Sequence, residues 1–444
     1  MMQHPRPSIV VSHPGTQQVY ETVAGLQVAG MLHRFLASAY WTDDAPERRS
    51  PWRWLPPAQR AKAIAGLRKR QHPAIDATLV HEIPWPFLVM RGVSTGMATA
   101  GLGQYAGVER LGDAWFDRLA ASWLGRQRGV TQLHAFEGEA LHTFGAARRM
   151  GLRTVLDAPA AHEYNIALCA SEARELGLAA PRRFGSPARI AEERALADVI
   201  VSPSAFVTRC LREHGVAAGK IVQIPFGADV ELFTPAEATP ASGRFTLLYV
   251  ASINFRKGTR YLLEAWRQLA LPDAELVLAG APDAAGEQLL RQYAGVYRHL
   301  GHVPWFELPA LFRSATAFVL PSLAEGSALV TYMAMASGLP VIVTEDAGSV
   351  ATDGVEGCVV PSRDIEALKR AILQLYGRRA EAATMGAAGR RLIAERYTWK
   401  HYHRRIVALH RAVHDGDDVA EAVASVDERR PEPVDTRIAW GIQV

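Results

Sequence analysis

The chain has 444 residues, 49% of them hydrophobic and 21% charged, with a formal net charge of +4. That length exceeds one ordinary core and implies two or three domains, and the composition excludes a mainly disordered chain. No apolar run reaches the ~18 residues of a membrane-spanning helix, residues 1–14 lack a secretory signal's apolar centre, and three scattered cysteines (Cys169, Cys210, Cys358) form neither a disulfide framework nor a metal-ligand pair, as in a reduced cytosol.

In chain order, residues 8–12 (SIVVS) read as a first strand, followed by a Pro-Gly turn and an amphipathic segment over 17–37. Arg48, Arg49, Arg53, Arg60, Lys62, Arg68, Lys69 and Arg70 then crowd one stretch with Trp52 and Trp54. Such a stretch suits an anionic lipid surface or a polyanion, and equally a solvated helix face. Further strands are expected at 153–156, 198–202 and 220–224. The segment 226–244, rich in Gly, Pro, Ala and Thr, reads as a boundary.

Beyond it, strands at 245–251, 275–279, 316–320 and 340–343 alternate with helices at 259–269, 287–293 and 329–336. Continuous apolar strands joined by helices mean parallel sheets covered on both faces, with ligands at the strands' carboxyl ends. The expected organisation is an α/β first domain over 1–230, a linker over 231–243 and a second domain over 244–395. A helix over 396–414 is expected to return to the first domain, and the acidic tail over 415–444 to be mobile.

Three segments of the second half carry chemistry. Ala251-Ser252-Ile253-Asn254-Phe255-Arg256-Lys257-Gly258 leaves a strand and enters a helix. Adjacent guanidinium and ammonium groups there suit a diphosphate, and the helix amino end adds unpaired N–H groups. Pro321-Ser322-Leu323-Ala324-Glu325-Gly326-Ser327-Ala328-Leu329 repeats the strand–loop–helix pattern, with a carboxylate able to accept hydrogen bonds from sugar hydroxyls. In residues 333–343 a small-residue helix stops at Gly338 and Pro340 opens the next strand.

In this order and spacing the segments resemble the carboxyl-terminal domain of the retaining glycosyltransferases of family 4, which have the two-domain GT-B fold of facing Rossmann-like domains. The first half is similar through Ala197–Ser204 and Ile224–Asp229. The resemblance implies a hexosyltransferase that moves a sugar from a nucleotide-sugar, with no metal, onto a saccharide or lipid-linked acceptor. It implies that Arg256 and Lys257 hold the diphosphate, that Glu325 binds donor-sugar hydroxyls where Gly326 lets the backbone come close, and that the amides of Ser327, Ala328 and Leu329 face sugar and phosphate. Backbone groups near Gly280 and Val303 would hold the base. The loop His13-Pro14-Gly15-Thr16 takes the place of the family's glycine-rich loop, with Gly15 and Thr16 near phosphate and acceptor. His162 is the candidate active-site histidine of the first half, with His134 and Asp157 as rivals.

Two positions depart from the family. Met333 stands where a second Glu usually binds the ribose, and Ser252 where many members have an Arg, for which Arg256 compensates. Met333 keeps open an inactive, sugar-binding relative; an epimerase or phosphorylase of the same fold is the other alternative. These expectations place the protein in the cytoplasm, peripheral on the inner membrane face through residues 48–70, in cell-surface polysaccharide or glycolipid assembly, with no nucleic-acid partner.

Overall fold

The computed structural model describes residues 6–16, 18–41, 66–68, 70–99, 106–175, 177, 186–237 and 243–428. Most of the basic stretch, including Arg48, Trp52 and Trp54, lies outside the described residues.

Seven parallel strands build the first sheet: β1 (Ile9–Ser12), β2 (Leu32–Ala37), β3 (Val80–Glu82), β4 (Gln132–Phe136), β5 (Arg153–Asp157), β6 (Val199–Ser202) and β7 (Ile221–Gln223). Their order is β3-β2-β1-β4-β5-β6-β7. The second sheet has six: β8 (Phe245–Val250), β9 (Ala274–Ala279), β10 (Arg298–Gly301), β11 (Ala317–Leu320), β12 (Val341–Thr344) and β13 (Gly357–Val360), ordered β10-β9-β8-β11-β12-β13. Both orders reverse beside their first strand. The crevices of the two domains therefore lie at the carboxyl ends of β1/β4 and of β8/β11.

The segment expected to be one amphipathic run over 17–37 divides in two. The helix Val19–Val28 is followed by Gly30 in the left-handed region at φ +66°, and β2 then pairs with β1 from Leu32. The apolar spacing serves a buried helix face first and a sheet interior second, and period alone does not separate short runs of the two kinds.

Strand β4 was not anticipated, because Gln132 and His134 interrupt its apolar pattern. Both are wholly buried. Their partner comes from the far end of the chain: His410 Nδ1 lies 2.6 Å from Gln132 Oε1, Gln132 Nε2 donates to the His410 carbonyl at 2.8 Å, and His134 Nδ1 lies 3.0 Å from His410 Nε2. Without that partner each buried polar group would cost about 1–3 kcal/mol.

His410 belongs to the helix Trp399–Asp415, which opens with a capping box between Thr398 and His401 and ends at Gly416 in the left-handed region. This helix packs on the first domain. Tyr402 Oη lies 2.8 Å from Thr22 Oγ1, and His403 Nε2 lies 2.8 Å from Glu21 Oε2. The acidic tail expected to be mobile from 415 onward instead forms a further helix, Val419–Glu428, tied down by Asp427 to the buried Arg405 at 2.6 Å. Residues 429–444 lie outside the described part.

Candidate active site

The loop after β8 is held by its own side chains. Tyr249 donates to the Ser252 carbonyl at 2.9 Å, Thr259 donates to the Asn254 carbonyl at 3.1 Å, and the Lys257 amide donates to Asn254 Oδ1 at 3.0 Å. Gly258 closes the loop at φ +69°, with the Pro321 carbonyl 1.8 Å from where a Cβ would stand. Only glycine meets both demands. The helix Thr259–Leu269 starts immediately after it.

This scaffold aims both cations at one acid. Lys257 Nζ is 2.5 Å and Arg256 Nη1 2.7 Å from Glu325 Oε1, and Arg256 Nη1 also donates to the Ala324 carbonyl at 2.8 Å. The Leu323 amide donates to the Arg256 carbonyl at 2.8 Å, and the Glu325 amide to the Asp346 carbonyl at 2.8 Å. Burial pulls the Lys257 ammonium below its ordinary range, and the charge of Glu325 opposes that pull. Two cations around one carboxylate leave a local surplus of one positive charge, the electrostatic condition for an anionic ligand.

Three donor-side expectations need correction or completion. The Ala328 amide donates to the Ala347 carbonyl at 3.1 Å, so it is already engaged by the protein. The Gly280 amide donates to the Gly301 carbonyl at 2.7 Å, and the Gly280 carbonyl lies 2.8 Å from His299 Nε2; both backbone groups expected to meet a base serve the fold. The Ser327 side chain, as distinct from the amide expected to face the donor, bonds the Gly348 carbonyl through Oγ at 3.0 Å. Met333 is buried in the second core, and Val303 packs against its margin.

Opposite stand the loops of the first domain. His13 Nδ1 lies 2.8 Å from the Gly15 amide and 3.1 Å from Glu139 Oε2, and its ring packs on Phe136. The Pro14 carbonyl accepts from Ser38 Oγ at 2.5 Å and from Arg70 at 3.0 Å, which fixes the approach to Gly15 and Thr16. His162 begins the helix His162–Glu175, with Nε2 3.4 Å from Glu137 Oε2. The rivals lie elsewhere: His134 is wholly buried on His410, and Asp157 is buried 3.9 Å from His134 Nε2.

Glu137 was not singled out from sequence, although an acid-Gly-acid run behind a strand is a readable signal. It is buried, and that burial lifts its carboxyl to about 8, against the pull of Arg194 at 2.5 Å. Glu193 takes the Gly138, Ala140 and Leu141 amides and so shapes the turn. Nothing local in the sequence announces that role.

The two halves meet. The Pro159 carbonyl lies 1.6 Å from where a Cβ on Gly326 would stand, and Ser204 Oγ donates to the Gly326 carbonyl at 2.5 Å. A methyl at 326 has no room. Gly326→Ala is expected to hold the domains apart, cutting activity at least tenfold while the melting temperature changes by only a few degrees; activity assay and calorimetry together check this.

Residues 244–378 match the family model described as "Glycosyl transferases group 1". Over those residues the chain is similar to the glycosyl transferases group 1. A D-inositol 3-phosphate glycosyltransferase of Geodermatophilus obscurus is 29% identical over 57% of this chain and 60% of its own length. A GDP-mannose-dependent alpha-(1-6)-phosphatidylinositol monomannoside mannosyltransferase of Mycolicibacterium smegmatis is 27% identical over 59% of this chain and 71% of its own. The match thus spans between three-fifths and seven-tenths of these relatives. Sucrose-phosphate synthase from Thermosynechococcus elongatus superposes with a TM-score of 0.59 at 19% identity, covering 93% of this chain and all of that one. The fold of the chain is GT-B, two Rossmann-like domains facing across a cleft.

Proposed function

We propose that the protein is a retaining hexosyltransferase that moves a sugar from a nucleotide-sugar to an acceptor hydroxyl in glycolipid or polysaccharide assembly. The observation that carries this reading is the Arg256–Lys257–Glu325 cluster, placed at the carboxyl end of β8/β11 and faced by the loop that leads into His162. The donor diphosphate takes the place of the Glu325 carboxylate on the two cations. Glu325, so released, accepts hydrogen bonds from the sugar.

The bond between the anomeric carbon and the diphosphate oxygen breaks, and its electron pair leaves with the diphosphate. The acceptor oxygen bonds the anomeric carbon, and its proton passes to the departing diphosphate. Arg256 and Lys257 stabilise the charge that builds on the leaving group, a preorganised electrostatic role that needs no metal in this reading. Closure of the domains excludes the water that would hydrolyse the donor.

The names of the relatives favour a mannosyl donor and an inositol- or lipid-bearing acceptor. Among the described residues no helix is long and apolar enough to cross a membrane. Contact with an anionic inner leaflet is assigned in this reading to residues 48–70. The test is a panel of nucleotide-sugars scored for diphosphate release, with products identified by mass. Transfer from one donor with the anomer retained is the expected result; inversion, or release from none, overturns the reading. Met333 at the ribose position favours a second reading, an inactive sugar-binding protein, and binding without turnover across the panel would select it.

A further inference from the structure

Behind the first domain's crevice one guanidinium serves two acids. Arg194 gives Nη1 and Nη2 to Glu163 at 2.6 and 3.1 Å, and Nε to Glu137 Oε1 at 2.5 Å. The two-pronged grip thus belongs to Glu163, which is partly exposed, while the Glu137 side chain has no solvent exposure. The second oxygen of Glu137, Oε2, lies 3.4 Å from His162 Nε2, and neither atom has a hydrogen-bond partner elsewhere among the described residues. Buried polar atoms are ordinarily paired, so one proton held between these two satisfies both. Closing the gap to the ~2.7–3.2 Å of a hydrogen bond takes a small turn of the ring.

Charge decides which atom owns that proton. Around the pair stand Glu193 and Arg194 from the helix Pro187–Leu196, Glu163 from the helix that His162 begins, and Glu139 from the loop of Glu137 itself. Glu193 is held by Arg189 at 3.0 Å, and Glu139 lies 3.1 Å from His13 Nδ1. So many acids around one shared guanidinium make a poor place for a further negative charge. Burial lifts the Glu137 carboxyl to about 8 and pulls the His162 imidazolium below its ordinary range. At neutral pH the pair is therefore a carboxylic acid beside a neutral imidazole. Oε1 accepts from Arg194, so the acid donates through Oε2. His162 Nε2 accepts, and the ring's own proton stays on Nδ1. The His162 side chain keeps 20% of its surface open, and because Nε2 is buried that opening lies elsewhere on it. Nδ1 is the nitrogen left to meet a ligand.

Resting on the transferase reading above, we infer that Glu137 is a positioning residue that, as a neutral acid, fixes the tautomer of His162 so that the ring presents an N–H donor to the cleft. When Glu137 gives its proton to solvent, Oε2 becomes an acceptor. The imidazole proton then moves from Nδ1 to Nε2 by exchange with water, and Nδ1 is left with a lone pair. The donor is present below about pH 8 and lost as the pH rises through it. The alkaline limit of transfer is thus set by one buried acid that does not itself touch the sugar.

The test uses the full chain and two readouts. Long-range proton–nitrogen NMR of protein labelled with 15N-histidine reads the ring directly, and the His162 signals are the ones lost in His162→Gln. They are expected to show the Nδ1–H tautomer at about pH 7 and the Nε2–H tautomer at about pH 9.5, with a midpoint near 8. In Glu137→Gln the amide oxygen still accepts from Arg194 and the amide N–H donates to Nε2, so the Nδ1–H tautomer is expected to persist throughout. Transfer is measured with whichever donor is active. Its kcat is expected to fall at least tenfold between about pH 7 and 9.5 in the parent chain, with a smaller change in KM, and to lose that alkaline limb in Glu137→Gln. If the variant folds poorly, the titration of the parent chain decides. A ring that is Nε2–H or charged at about pH 7, or an alkaline limb that persists in Glu137→Gln, overturns the inference. The expected tautomers without transfer from any donor would sink the transferase reading and leave the proton-sharing pair standing.

Discussion

Lys257→Ala is expected to lower transfer by two to three orders of magnitude with little change in melting temperature. In the proposed reaction the lysine is one of two cations on the leaving group, and removing a preorganised charge from a dry site costs about 10²–10³ in kcat. The fold tolerates the loss because Arg256, 2.7 Å from Glu325, keeps that carboxylate paired. Glu325→Gln separates two effects that the lysine variant combines. It deletes the internal competitor for Arg256 and Lys257, so the affinity for a free nucleoside diphosphate holds or rises while transfer falls at least a hundredfold. Calorimetry with the diphosphate and a transfer assay check both. Undiminished turnover in either variant removes the cluster from the chemistry.

The second large effect is expected where the domains clasp. Glu172, on the helix that begins with His162, has no solvent exposure, yet its partners belong to the second domain: Tyr261 Oη at 3.0 Å and Arg363 Nε at 2.7 Å. On the same helix Tyr164 Oη lies 3.4 Å from Asp346 Oδ2, and from the neighbouring helix Ala205–Glu213 Arg209 reaches Asp346 at 3.3 Å. Arg363→Ala strands a buried carboxylate, which costs about 3–5 kcal/mol. Arg363 is itself one-third exposed, which favours the lower figure. Opening the cleft lets Glu172 reach water, so the cost falls on closure rather than on either domain. A shift of about 3 kcal/mol moves the open-to-closed ratio about a hundredfold. Small-angle scattering should show a larger radius of gyration, and the donor KM should rise. Adding Glu172→Leu to Arg363→Leu should recover closure, because an apolar pair replaces a buried ionic one at little cost. An unchanged radius in Arg363→Ala would refute the clasp.

The clustering of Arg256, Lys257 and Glu325 was legible because its signals are local. Arg256, Lys257 and Gly258 adjoin in sequence, and Glu325 adjoins the glycine that lets its loop approach the other domain. The polar cluster around Glu137 was not. Glu137 sits behind a strand disguised by Gln132 and His134, whose burial is explained only by His410, 278 residues on from Gln132. Glu172 reads as one more acid on a solvated helix until Tyr261 and Arg363 are seen across the cleft. The tail looked solvated because its anchor, Asp427, pairs with Arg405, a cation hidden on the preceding helix. Composition reports such charges but not their partners. The amides of Ala328 and Gly280 are engaged within the protein for a related reason: backbone donors at a loop are claimed first by neighbouring carbonyls, and sequence does not show which.

The chain crosses between domains twice, and the crossings touch. The Ala228 amide donates to the Tyr397 carbonyl at 2.9 Å, and a Cβ on Gly227 would stand 2.4 Å from the Trp399 nitrogen. Two straps fastened at one point behave as the pin of a door. Because the two crossings are held to each other there, a swing of one half on the other would turn about this point. Grafting the second domain alone onto another scaffold would sever both straps and, with them, the contact that fastens them together.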